Sequence, residues 1–279
     1  MFRQSHASRF AIAVVASALT LAGTLTGEQA SGFENWTDEQ KEEFLRTAKV
    51  VGTDDISVGL TQPLRATLQQ RDLVHDGHIQ RIDERAAVKD LPTGREINYR
   101  DYWAFNIAAY RLDRLLGLGV VPVAVERKYA GTTGAFSWWI DDIQMMEKER
   151  WENGIEPPDR EAWNRQMASA RVFNQLVYNT DPNLGNVLID NDWKIWLVDY
   201  TRAFRGQTKL RRPKSLTRID RDLLERLRAL NSDTVKTALG DCLTNREQRA
   251  LLERRDKIVE LFEEKIAAEG ADAILYDIR

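Results

Sequence analysis

The sequence predicts an α+β fold in two parts, a strand-rich first half followed by a mainly helical second half. Three observations lead there. Residues 51–90 break into short strand-like runs, "ISVGL", "LRATLQ" and "HIQRID", separated by turn residues. Beyond residue 141 apolar positions recur at helical spacing, with one short strand pair, "NVLI" and "KIWLVD", set among the helices. A chain of 279 residues, 43% hydrophobic and 30% charged, is long enough for two packed lobes. The boundaries expected are 1–30 for a leader, 31–142 for the first lobe and 143–279 for the second, with a seam near 141–146.

In chain order, residues 1–9 carry Arg3 and Arg9 and no acid, and 10–27 are uncharged. That is the layout of a signal peptide or an N-terminal membrane anchor, and it implies an exported or membrane-anchored protein on the extracytoplasmic side. No A-x-A cleavage site ends the segment, so cleavage and anchoring both stay open. "WTDEQKEEFLRTAKV" opens a helix with Thr37 as cap and Gln40 three residues on. "NYRDYWAFNIAAYRLDRLLGLG" over 98–119 has helical spacing, and Gly117 and Gly119 are placed to stop it. Residues 120–140 read as two strands around "GTTG". A long amphipathic helix is expected over 161–179, then the strand pair, then charged amphipathic helices.

Composition narrows the function classes. The net charge of −3 gives no global basic field for nucleic acid, and "KLRRPK" at 209–214 reads as a solvated loop. One cysteine, Cys242, excludes an internal disulfide and a cysteine-rich zinc site. His75 and His78 read as a surface turn rather than a metal pair.

The stretch "YNTDPNLGNVLIDNDWKIWLVDYTRAF" at 178–204 does not look like packing. Asp181 and Asn186 sit on the loop before the first strand, and Asp199 ends the second. A tight hairpin returns the chain to its start, so Asp199 is expected beside Asn186. Two carboxylates about 4 Å apart repel by roughly 4 kcal/mol at an effective dielectric near 20, which calls for a cation or a raised pKa. Oxygen ligands without nearby His or Cys suit Mg²⁺ or Mn²⁺ shared with phosphates.

This spacing, with "AAYRLDRLLGLGVVP" at 108–122, resembles the atypical branch of the protein-kinase-like fold: HipA-type kinases, phosphatidylinositol kinases and the secreted Golgi casein-kinase family. The resemblance covers roughly residues 55–205. It implies a metal-dependent, ATP-using phosphotransferase acting on a hydroxyl of a protein, lipid or sugar. By position, Asp181 would orient or deprotonate the acceptor hydroxyl, and Asn183 would support the loop. Asn186 and Asp199 would hold the metal, and Arg202 would steady the segment or meet a phosphate.

The first half departs from that pattern. Gln80 falls where the phosphate-binding lysine belongs, and Asn106 where its helix Glu belongs. Lys89 or Lys128 could replace the lysine, with Glu96 for the acid. Only Gly59 represents the glycine-rich loop. Two further readings follow: a pseudokinase that binds nucleotide or a partner without transfer, and AMP transfer on the same fold.

Overall fold

The computed structural model describes residues 32–33, 35–56, 63–91 and 94–278; the apolar segment 10–27 and Gly59 lie outside the described residues. Everything below concerns the unit Asn35–Arg279. Among the described residues no helix is long and apolar enough to cross a membrane.

The first half is an antiparallel sheet backed by helices. Helix α1 (Asp38–Thr47) starts at the expected capping box, with the Thr37 side chain accepting from the Gln40 N–H and the Gln40 side chain answering at the cap. Strands β1 (Lys49–Asp55), β2 (Leu64–Gln70), β3 (Leu73–Gln80), β6 (Ala124–Tyr129) and β7 (Thr132–Trp138) form one sheet in the order β1-β2-β3-β7-β6. The β6–β7 turn is Ala130–Gly131, with φ of 48° and 84°, so both central residues are left-handed as a type I′ hairpin turn requires. "GTTG" therefore begins in the turn and runs on into β7. His75 and His78 lie within β3 and not in a turn; the chain reverses earlier, at Arg71, where φ is 56°. His75 is buried, stacked on Trp138 at 3.8 Å, with Nε2 3.1 Å from the Trp139 carbonyl oxygen.

Between β3 and the next helix the sequence pattern hid an element. Strands β4 (Asp83–Leu91) and β5 (Gly94–Tyr102) pair as a separate antiparallel hairpin. Its residues are mostly exposed or half-buried, so the apolar alternation that marks a strand is weak. The expected helix over 98–119 is shortened accordingly: α2 is Ala104–Leu116, because residues up to Tyr102 belong to β5. Its end is as read, with Gly117 at φ 62°. Helix α2 is buried on nearly every side, since it meets β6 and β7 as well as helices of the second half.

The second half contains β8 (Ile143–Met146), α3 (Glu147–Glu152) and α4 (Arg160–Leu176), then the hairpin β9 (Val187–Asp190) and β10 (Ile195–Leu197). Strands β10, β9 and β8 make a three-stranded sheet. Next come β11 (Ile219–Asp220), α5 (Arg221–Ala229), α6 (Ser232–Leu239) and α7 (Asn245–Glu269), with α8 (Ala271–Ile274) and β12 (Leu275–Tyr276) last. Leu251, Ile258 and Phe262 of α7 are fully buried against this bundle. Cys242 is buried, and that burial pushes its thiol up to about 12, as suits a small apolar filler.

One buried acid links α2 to the strands after it. Asp113 is 1% exposed and accepts from the Val120 N–H at 3.2 Å. Burial pushes its carboxyl up to about 7, against backbone N–H groups that pull it down. The folded protein thus holds this proton more tightly than the unfolded chain, so its ionisation removes stability as pH rises from about 4 to 7. Asp113→Asn should remove that slope: between pH 5 and 8 the native chain loses on the order of 2–4 kcal/mol more than the variant. Urea unfolding of both at several pH values tests this, and parallel profiles would contradict it.

Candidate active site

The loop after α4 is built from side chains that hold backbone. Buried Asn179 accepts from the Asp181 N–H at 2.9 Å and donates to Asn174 Oδ1 at 3.0 Å. Asn183 caps the short 3₁₀ turn Leu184–Asn186 by accepting from the Gly185 N–H at 2.9 Å. Its amide nitrogen lies 3.4 Å from Asp181 Oδ1, and that of Asn186 lies 3.4 Å from the Asp181 carbonyl oxygen. The hairpin then closes as its spacing requires. Leu197 pairs with Val187, and the Val198 N–H donates to the Asn186 carbonyl at 3.0 Å, which brings Asp199 back beside Asn186.

Asp199 has φ 58°, with Tyr178 at 50° and Phe204 at 53°. Left-handed non-glycine residues are held only where surroundings over-determine them, and three of them frame this one segment. The frame is a pair of tied strands of loop: Phe204 N–H to Val177 carbonyl at 2.6 Å, and Thr180 N–H and Oγ1 to the Arg202 carbonyl at 3.1 and 2.8 Å. From below, fully buried Arg254 donates to the carbonyls of Leu176 (2.7 Å), Arg205 (2.9 Å) and Gln207. Arg211 of the basic cluster donates to the Asn179 carbonyl, so that loop is tied to the site as well as solvated.

The charges at the site are unequal. Asp199 is reached by solvent although protein atoms crowd its carboxyl. Desolvation raises its carboxyl pKa, a hydrogen bond from Thr201 opposes this, and Asp101 and Asp181 push it further up. Asp101, near the end of β5, was not singled out in the sequence. It is 4% exposed and accepts from the Tyr99 hydroxyl at 3.0 Å through Oδ2, while its Oδ1 has no partner. The Tyr102 N–H donates to the Thr201 carbonyl at 2.8 Å, which holds this acid's strand against the Asp199 segment.

Arginines supply the compensation. Arg202 reaches Asp181 at 3.2 Å and Glu96 of β5 at 2.7 Å. Buried Arg205 takes the other oxygen of Glu96. Asn98, with φ 55°, breaks the alternation of β5, so Glu96 and Tyr99 turn to the same arginines.

The first-half candidates lie in other contacts. Gln80 is buried, and its Oε1 accepts from the N–H groups of Arg81 (2.9 Å) and Ile82 (3.0 Å). Asn106 accepts from the Tyr200 N–H at 2.7 Å, so this residue of α2 touches the residue next to Asp199. Lys89 bonds both oxygens of Glu84 at 2.6 Å and lies over the Tyr99 ring at 4.3 Å. Trp138 packs against Trp36 and Phe44, and Trp139 lies under the Arg65 guanidinium at 4.4 Å. The structure thus brings Asp181, Asn183, Asn186, Asp199 and Arg202 together. Asp101, Asn179, Glu96 and Arg205 join them, and only Glu96 had been weighed from sequence.

Among the described residues no group of three or more His, Cys, Asp and Glu side chains could cage a metal ion. Asn186 and Asp199 could hold one side of a divalent cation. Their all-oxygen chemistry, with an unmatched carboxylate oxygen at Asp101, suits Mg²⁺ or Mn²⁺, which keep waters and take phosphate oxygens. Removing Glu96 would leave two enclosed guanidiniums without their shared acid, so Glu96→Ala should cost about 3 kcal/mol in urea unfolding. Asn183→Ala, on the exposed loop, should cost under about 1 kcal/mol. Equal small losses would contradict the clamp.

No protein-family model matches the sequence, and no curated protein matches it. Solved structures do. The chain is similar to hydra Fam20 with sugar (14% identity, 86% of this chain and 92% of that one, TM-score 0.64). It is similar to the Golgi casein kinase with Mn and ADP bound (13%, 86% and 79%, TM-score 0.60). It is also similar to the Helicobacter pylori proinflammatory kinase CtkA (10%, 81% and 98%, TM-score 0.53). Likeness at such low identity speaks for architecture alone, and that architecture is an atypical kinase-like fold, sheet-rich first and helical after.

Proposed function

We propose that the chain is a metal-dependent, ATP-using phosphotransferase acting on a hydroxyl acceptor. The observation that carries this is the return of the β9–β10 hairpin, which sets Asp199 beside Asn186 while Asn183 and Asn186 hold the Asp181 loop. In this reading Asp181 orients the acceptor hydroxyl and takes its proton. Its own N–H is fixed by Asn179, so the carboxylate is aimed from rigid backbone. Asn186 and Asp199 would hold Mg²⁺ or Mn²⁺, which when bound neutralises the nucleotide phosphates. Arg202, already at Asp181, adds fixed positive charge where the first half offers Gln80 in place of lysine. Support also comes from the similar Golgi casein kinase, which holds Mn and ADP.

One observation favours a second reading, a pseudokinase that binds without transfer: Gln80 Oε1 accepts from the backbone of Arg81 and Ile82, and Lys89 bonds Glu84. AMP transfer is the third, separated from phosphoryl transfer by the mass of the product. For location we propose the extracytoplasmic side, from the basic start and the uncharged stretch 10–27. Cell fractionation tests that part by itself.

With Mn²⁺ and γ-labelled ATP, the native chain should turn over nucleotide or label itself. Asp181→Asn should lose at least about 100-fold in rate while still binding nucleotide. Asp199→Ala should lose both. A native rate no higher than that of Asp181→Asn would support the pseudokinase instead.

A further inference from the structure

A cavity lies between the β4–β5 hairpin and the start of α7, with a volume of about 430 Å³. Its lining is dominated by arginines: Arg85 and Arg100 from the hairpin, Arg205 from the segment past Asp199, and Arg246 from the first turn of α7. The lining acid, Glu247, accepts from the Thr244 N–H and hydroxyl at 2.7 and 2.8 Å in the helix cap.

The charges there are only partly matched. Arg100 pairs with Asp83, and Arg205 with Glu96. Arg85 and Arg246 have no ion pair among the described residues. Arg205 is 4% exposed, and its Nε has no hydrogen-bond partner. Arg85 and Arg246 are exposed, so the cavity's unpaired positive charge sits at its open side, while buried Arg205 is held by Glu96 and by the Asn98 carbonyl. Arg246 lies close on Gly206: a methyl group there would sit 2.7 Å from its Nε.

We propose that this cavity is an oxyanion site that takes a phosphate- or sulfate-ester group carried by the acceptor. Several guanidinium forks from three elements suit a tetrahedral dianion with several oxygens better than one carboxylate. The cavity is far larger than one such group, so it has room for the molecule that bears it. It also adjoins the transfer site through one chain of ion pairs, since Glu96 joins Arg205 to Arg202, and Arg202 touches Asp181. An anion held here would place the rest of its molecule near Asp181. The word "acceptor" rests on the phosphotransferase reading; the binding of the anion does not.

The test is calorimetric titration of the full chain, with chelator present and neither metal nor nucleotide, using inorganic phosphate, phosphoserine and acetate. Phosphate and phosphoserine should bind, and acetate should bind at least tenfold more weakly. Arg246→Ala should weaken phosphate about tenfold or more. Gly206→Ala, which keeps every charge but displaces Arg246, should weaken it severalfold. Asp199→Ala should leave phosphate binding unchanged, which separates this site from the nucleotide site. No binding to the native chain, equal binding of acetate, or no loss in Arg246→Ala would overturn the proposal. Binding of phosphate without phosphoserine would overturn the claim that the anion is carried on a larger molecule.

Discussion

Glu96 is the residue on which the charge balance of this molecule turns. Four carboxylates, Glu96, Asp101, Asp181 and Asp199, meet along the seam between the β4–β5 hairpin and the loop pair of the second half. By holding Arg202 and Arg205 together, Glu96 fixes one guanidinium against Asp181 and the other in the wall of the arginine-lined cavity. In a partly desolvated place such pairs matter more through what their loss leaves unpaired than through their own attraction. Of the remaining acids, Asp199 forms no ion pair among the described residues, and one oxygen of Asp101 has no hydrogen-bond partner. That imbalance is the physical basis for expecting a divalent ion there.

The hairpin that carries Glu96 also lets the first half shape the site. It is inserted between β3 and α2, where it contributes Glu96, Tyr99 and Asp101 from one edge. Asn106 of α2 reaches the Tyr200 backbone, so the helix is coupled to the Asp199 segment through an uncharged bond. Gln80 is turned to its own strand end. An amide at each position avoids the cost of a buried unpaired charge.

Much of the chain was legible in the sequence because its signals are local. The Thr37 cap, the stop at Gly117, the long α4 and the return of Asp199 to Asn186 all follow from spacing and turn chemistry. The hairpin β4–β5 was not legible, because its strands face solvent and carry charges where an apolar alternation would have marked them. Asp101 and Arg205 could not be read for a different reason. Their importance comes from burial beside partners far away in sequence, and "YRDY" or "RAFRG" looks like ordinary surface. Asn179 was within reach, since a buried-looking helix end followed by Asn and Asp suggests a capped turn.

In the proposed reading one site needs metal and nucleotide together. The most direct measurement is thermal unfolding of residues 31–279 with Mn²⁺ alone, ATP alone, and both, for the native chain and for Asp199→Ala. A stabilisation of about 2.7 kcal/mol is expected at a hundredfold excess over the dissociation constant. It should require both ligands and be absent in Asp199→Ala. A folded native chain that shows no shift under any combination, or the same shift in the variant, would contradict it.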